Sequence, residues 1–427
     1  MPVSQRRTVR LLAPVLSLSL LGFGLAACGQ SDSGGSKDRV KLTVGLFGDF
    51  GFKPLYEEFK KTHPNVDIEE RVAQYADHHK NLAAHMATNS GAADIEAIEV
   101  GYISTFTAQP QKFYNLLDYG GGDVKSEYLP WKWEQGLSTD GKSLIGLGTD
   151  VGSMAMCYRT DLFAKAGLPT DRDQVSKLWP TWNDYYAAGK RYAATNPSAK
   201  FYDSSGNIFR GMVGQAPVGV YDNKDNLVVA TNPDIKKAFD ATVQMIQAGL
   251  SAKLAAFTPE WTAGFAQGSF ATIVCPAWMT AYIESNAKDA AGKWDVAAVP
   301  GGSGNIGGSH LTAPKQGKHP KETAELIKFL AAADQQAKVF KATGNFPSLP
   351  KLYDDPSVQS FKKAYFNNAP IGRIFSDAAK AVKPQHLGPR EGDVMTAIGQ
   401  GLVRIEEGKQ TPEEAWQQVL KDVEKVK

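Results

Sequence analysis

Between residues 40 and 100 the chain alternates short β-branched runs with amphipathic stretches, which restricts it to a small set of α/β folds. Residues 40–47, VKLTVGLF, read as a strand, and Gly48-Asp49-Phe50-Gly51 follows as a turn. Leu55, Tyr56 and Phe59 mark one face of a helix that His63-Pro64 ends. Residues 66–72 read as a second strand. Residues 77–89 read as a helix with Leu82 and Met86 four apart, and 94–100 (DIEAIEV) as a third strand. Strand, helix, strand, helix, strand predicts a parallel sheet with crossover helices.

Later segments keep this style. Residues 151–158 read as a strand, followed by a helix (DLFAKAG) that closes at Gly167. Thr181 is placed to cap the helix opening at 180–184. Ile235, Phe239, Val243 and Ile246 share one face of a helix over 233–249. A short strand is expected at 271–274 and a helix at 321–333. The last helix is signalled by a capping box, with Thr411 at N-cap, Pro412 at N1 and Glu414 at N3. Its apolar stripe is Ala415, Val419 and Val423. A chain of 427 residues exceeds the size at which one core keeps growing, so two or more domains are expected.

The N-terminus carries an address. Arg6, Arg7 and Arg10 precede an apolar run, LLAPVLSLSLLGFGLAAC, ending in Leu25-Ala26-Ala27-Cys28. A basic start, an apolar middle and small residues before a cysteine form a bacterial lipoprotein signal, cleaved before an acylated Cys28. The alternative is a membrane-spanning anchor, but the run falls short of the ~20 residues a bilayer requires. Arg6-Arg7 also raises twin-arginine export, with a poor match beyond the arginine pair. Residues 1–27 are therefore assigned to the signal. Residues 28–38 are small and polar beyond the cysteine and are assigned to a flexible tether. This places the mature chain outside the cytoplasm, lipid-anchored to the outer face of the cell membrane.

The whole chain has 47 basic and 45 acidic residues. The three signal arginines account for the excess, so the mature protein is near neutral. A near-neutral surface gives no footprint for nucleic acid. Beyond Cys28 only Cys157 and Cys275 remain. Outside the cytoplasm they are candidates for one disulfide; two buried thiols are the alternative. Cys157 sits in the apolar run SMAMCY, which argues against a nucleophile.

Catalytic and metal motifs are absent or weak. There is no phosphate-binding G-x-x-x-x-G-K-[ST] loop and no G-x-S-x-G elbow. His78, His79 and His85 fall on one predicted helix with no cysteine nearby, and a solvated polar face is expected rather than a metal site. Glu96 and Glu99 are three apart in a strand and point to opposite faces. Gly301-Gly302-Ser303-Gly304 and Gly307-Gly308 suit a loop of close backbone approach. No cofactor is expected. The eight tryptophans are spread over loops and element ends. Trp261 and Trp278 flank GFAQGSFATIVCPAW. An indole face suits the apolar C–H face of a sugar ring, although any one Trp can equally fill a core.

Three segments carry a family resemblance. They are Gly146-Leu147-Gly148-Thr149-Asp150 continuing through SMAMCY to Thr160-Asp161-Leu162-Phe163; Gly268 through Trp278; and Asp94-Ile95 through Glu99. In this order, behind the lipoprotein signal, the chain resembles extracellular solute-binding proteins (family 1) of bacterial ABC sugar importers. The runs ADIEAIEVG, LGTDVGSMAMCYRTDLFAKAGLP and VSKLWPTWNDY make it most similar to actinobacterial cello-oligosaccharide-binding lipoproteins; chitobiose, other β-glucosides and xylo-oligosaccharides stay open as ligands.

The resemblance implies an α/β, two-lobed fold with crossing hinge strands. The N-terminal lobe would take 39–150 with part of 270–310, and the C-terminal lobe mainly 151–427. Crossings are expected near 150, 275 and 310. It implies a neutral oligosaccharide ligand between the lobes, delivery to ABC permease subunits, a monomer and no catalysis. The implied ligand contacts are Asp49, Phe50, Glu99, Asp150, Trp278, Gly307, Gly308, His310 and Arg390, with Asn207 and Trp261 from the second lobe. If the strands around 157 and 275 are neighbours, Cys157 and Cys275 come within bridging distance. One rival is a secreted glycoside hydrolase, in which Glu99 and Asp150 would face one cleft; the other is a solute-binding protein for a non-sugar ligand, such as a peptide or a metal complex.

Overall fold

The computed structural model describes residues 39–195 and 197–426. The signal, the tether and Cys28 lie outside these residues. The first sheet is built from β1 (Val40–Leu46), β2 (Val66–Val72), β3 (Ile95–Glu99) and β4 (Gly146–Gly148), joined by the later β10 (Ser309–Thr312). Its order is β2-β1-β3-β10-β4. β1 pairs parallel with β2 and β3, as the alternating pattern predicts, whereas β10 enters antiparallel between β3 and β4. β5 (Asp150–Val151) pairs with β11 (Phe346–Pro347) in a short ribbon.

The second sheet has the order β7-β8-β6-β9, with β6 at Met154–Arg159, β7 at Lys200–Tyr202, β8 at Phe270–Pro276 and β9 at Trp294–Ala297. Every residue of β6 and β8 is buried. Such strands read as continuous apolar runs because both faces are covered. In the antiparallel β6–β8 ladder Cys157 faces Ile273 and Ala155 faces Cys275, so the two cysteines share one face. They are joined as a disulfide with Cα atoms 5.3 Å apart.

The return expected near 275 is corrected. β8 is an internal strand of the second sheet, and β9 follows it in the same sheet. An apolar strand carries no mark of which sheet it joins. The chain instead passes from first sheet to second over 149–153 and returns over 298–308. These two segments touch: the Gly152 N–H donates to Asn305 Oδ1 at 2.8 Å, and the Ile306 N–H to the Gly152 carbonyl at 2.8 Å. A Cβ on residue 152 would lie 1.8 Å from the Ile306 carbonyl oxygen, so only glycine fits. Behind them lies the helix Ile371–Lys380, which accepts from Ser153 Oγ at Phe375 O (3.2 Å) and from Ser303 Oγ at Ala378 O.

The helix signals also hold. Thr181 caps Trp182–Ala194 and Thr411 caps Pro412–Lys425, both in full capping boxes. Each cap satisfies otherwise unpaired N–H groups and contributes ~1 kcal/mol. The expected solvated face of histidines does not form. His78 and His79 are buried on the helix Tyr75–Thr88, His78 against the Ala97 carbonyl (2.7 Å) and His79 stacked on Tyr102 at 4.2 Å. Burial pushes His79 down to about 3, so it stays neutral. Histidine has an apolar body, and a polar-face reading overlooks that.

Candidate functional site

The strands and crossing segments leave a cleft between the lobes that encloses about 780 Å³, part of it open to solvent. Its first-lobe wall grows from the end of β3. Glu99 terminates the strand and caps the helix Val100–Thr107, accepting from the Gly101 N–H at 2.8 Å. Its Oε2 also accepts from the Tyr75 hydroxyl at 2.9 Å. Burial raises the Glu99 carboxyl above its ordinary value, and these two hydrogen bonds oppose the shift.

The floor is Asn305–Gly307. The Asn305 side chain is committed at both ends, holding the Gly152 N–H and donating to the Gly307 carbonyl at 3.0 Å. Gly307 has φ +95°, and a Cβ there would sit 3.0 Å from Trp278 Nε1 and 3.9 Å from Glu99 Oε1. Three of the predicted residues, Glu99, Trp278 and Gly307, therefore meet at one point. Trp278 is half-buried and donates its indole N–H to the Ile306 carbonyl at 3.2 Å.

The second-lobe wall was not foreseen. Arg210, on the helix Ser205–Val213, and Glu391, on the helix Glu391–Glu406, both line the cleft. No side-chain hydrogen bond or ion pair engages the Arg210 guanidinium among the described residues, although it acts on Glu99 and Glu391 through space. Glu391 is buried, and its Oε2 has no hydrogen-bond partner. Burial pushes its pKa up to about 8, so it carries a proton at neutral pH and can donate as well as accept. On the first-lobe side Gln135 Oε1 is likewise buried and unpartnered, beside Trp131.

Gly308 and Asp150 lie behind the floor. Asp150 is buried, accepting from Thr149 Oγ1 (2.8 Å) and the Ser309 N–H (2.9 Å). A Cβ at Gly308 would meet the Asp150 carbonyl oxygen at 2.7 Å and Lys132 Nζ at 3.2 Å. Burial lowers the Lys132 ammonium to about 8, held up in part by Asp150 and Glu99. Asp150 thus faces a buried lysine rather than substrate space, and the Glu99–Asp150 pair required of a hydrolase does not face one cleft.

Other predicted contacts sit elsewhere. His310 is fully buried in β10 with Nε2 3.3 Å from the Lys132 carbonyl, and burial drives its pKa well down. Trp261 is fully buried, donating to Asp203 Oδ2 at 2.7 Å, and Asn207 Nδ2 donates to the same oxygen at 2.5 Å. Both brace Asp203 under the second-lobe wall. Phe50 is buried against Phe47, ring centroids 5.0 Å apart, and Asp49 closes its own turn by accepting from the Gly51 N–H. Arg390 points outward and pairs with Asp393 at 2.6 Å, one residue out of phase with the inward Glu391.

A sequence signal for Arg210 exists: it is the one charge in IFRGMV, an otherwise apolar run. Tyr75 and Gln135 carry no such mark.

Residues 55–366 match the profile of a family described as bacterial extracellular solute-binding protein. An arabinooligosaccharide-binding protein of Bacillus subtilis (strain 168) is 24% identical over 419 residues, covering 90% of each chain. Among solved structures, an extracellular solute-binding protein of family 1 superposes with a TM-score of 0.80 at 44% identity, covering 91% of this chain and 99% of that one. The ABC transporter associated binding protein of B. animalis subsp. lactis Bl-04, solved with beta-1,6-galactobiose, shares the fold at 20% identity and a TM-score of 0.78, covering 90% and 96%. The chain has a mixed α/β, two-lobed binding-protein fold and belongs to the family of bacterial extracellular solute-binding proteins.

Proposed function

We propose that the protein captures a neutral oligosaccharide in the inter-lobe cleft and delivers it to the membrane subunits of an ABC importer. The observation that carries this reading is the meeting of Trp278, Glu99 and Gly307 at the cleft floor. An indole face, a carboxylate and bare backbone offer a sugar ring an apolar platform, a hydroxyl acceptor and close approach. The buried, unpartnered oxygens of Gln135 and Glu391 supply further hydroxyl partners. A relative named for arabinooligosaccharides and a neighbour holding beta-1,6-galactobiose support a carbohydrate ligand. The sequence runs around 94–101 and 146–169 favour a cello-oligosaccharide such as cellobiose or cellotriose within that class.

The mechanism is hinge closure without covalent chemistry. Glu99 and Tyr75 belong to one lobe, Arg210 and Glu391 to the other. A ligand that touches both stabilises the closed arrangement in proportion to its differential contacts. The touching segments 149–153 and 298–308 form the hinge. The lipid on Cys28 keeps the protein beside its permease, and the protein works as a monomer.

Calorimetry with cellobiose, cellotriose, arabinotriose and xylotriose tests this. Saturable one-site heat with a cello-oligosaccharide is expected. Heat with arabinotriose alone overturns the cello-oligosaccharide assignment and keeps the sugar reading. No heat with any of the four overturns the sugar reading.

A further inference from the structure

One aromatic, stacked on the cleft residue Tyr75, breaks the local rules of the backbone. Phe257 lies just ahead of the helix Pro259–Gln267, with φ +66°. A bulky side chain in the left-handed region is strained, because Cβ crowds the following carbonyl. The residue is also 47% exposed, one of the few large hydrophobic residues that are. Strain and exposure together require a compensating contact, and such outliers cluster at functional sites.

The contact is a stack across the two lobes. The Phe257 ring lies 20° from parallel to Tyr75 of the first lobe, centroids 5.8 Å apart. It lies 20° from parallel to Trp278 of the second lobe, centroids 6.2 Å apart. Tyr282 and Trp261 hold it from the side, at 6.0 Å and 5.3 Å. Tyr75 and Trp278 both spend their polar atoms elsewhere, on Glu99 and on the Ile306 carbonyl. What each offers Phe257 is its flat face.

We propose that Phe257 is a built-in occupant of a ring-stacking position at Tyr75 and Trp278, and that a sugar ring takes this position by displacing it. The inference rests on the oligosaccharide reading above. A phenyl ring and a pyranose are both six-membered and both present an apolar face, so one substitutes for the other against an aromatic wall. Displacement relieves the strained backbone. It also sets a selection rule: a ligand must bring a flat apolar face to compete with Phe257. The same stack ties Tyr75 to the second lobe before ligand arrives.

Phe257→Ala and Phe257→Gly test the proposal by calorimetry with whichever oligosaccharide binds the wild type. Both variants are expected to bind at least threefold more tightly, because neither has a ring to displace, with unchanged circular dichroism. Glycine also relieves the left-handed backbone, so its folding is secure if alanine's is not. Tighter binding supports the proposal. Equal or weaker binding by the folded variants overturns it, because Phe257 would then be neutral or a wall that ligand itself touches, while the sugar reading stands. A wild type that binds no sugar overturns the sugar reading first and this inference with it.

Discussion

Replacing Glu391 with glutamine asks whether the cleft holds a protonated carboxyl. Burial raises its pKa from 4.5 to about 8, opposed by the Gly388 backbone hydrogen bond and Arg210 and assisted by Glu99. The unfolded chain releases this proton near its ordinary value, while the folded chain keeps it until about pH 8. The folded state therefore binds more protons across that window. The stability tied to Glu391 is present below the unfolded pKa and is lost as pH rises through the folded one. At 1.36 kcal/mol per unit, the loss between pH 5 and pH 8 is roughly 3–4 kcal/mol. Glutamine keeps the shape and cannot ionise. Guanidinium unfolding of wild type and Glu391→Gln at both pH values gives the difference directly. Glu96 and Asp203, each pushed up to about 7 by burial, destabilise both proteins in the same direction and cancel. The wild type should lose several kcal/mol more than the variant. Equal losses refute the reasoning.

Three further outcomes follow from the same structure. Cys157 and Cys275 are 118 residues apart, so the chain-entropy relation sets ~5 kcal/mol as the upper contribution of their disulfide; urea unfolding of the Cys157→Ala, Cys275→Ala double variant should show a loss of roughly 2–5 kcal/mol, and no loss contradicts it. Trp278→Ala should weaken oligosaccharide binding by ~2 kcal/mol with circular dichroism unchanged; an unaltered affinity makes Trp278 a structural residue only. Cys28→Ala should release the protein into the medium with sugar binding intact, and retention at the membrane contradicts the lipid anchor.

The elements were legible where local chemistry decides them. The parallel β1–β3 unit, both predicted caps and the buried run of β6 follow from periodicity, proline placement and hydroxyl caps. Sheet membership was not legible, because β8 is apolar on both faces and pairs equally well in either lobe by that criterion. Within the site, Glu99 was expected only through the family resemblance of residues 94–99, and its local role, a strand-ending carboxylate that caps the following helix, shows in the structure alone. Arg390 and Glu391 show the limit. They are adjacent in sequence, and only the helical phase fixed by packing sends Glu391 inward and Arg390 out. His310 and Trp261 were misplaced for a related reason: both side chains have apolar bodies and satisfy one polar atom inside the core. Phe257 left no trace in the sequence, because a left-handed phenylalanine runs against its own propensity.

The proposed ligand position is the floor formed by Trp278, Glu99 and Gly307, between Tyr75 on one lobe and Arg210 and Glu391 on the other. A crystal structure of the protein with the oligosaccharide that calorimetry selects tests it most directly. One sugar ring is expected flat against the Trp278 indole, with hydroxyls on Glu99 and Glu391. A sugar bound away from this floor, or one that leaves Trp278 and Glu99 untouched, contradicts it.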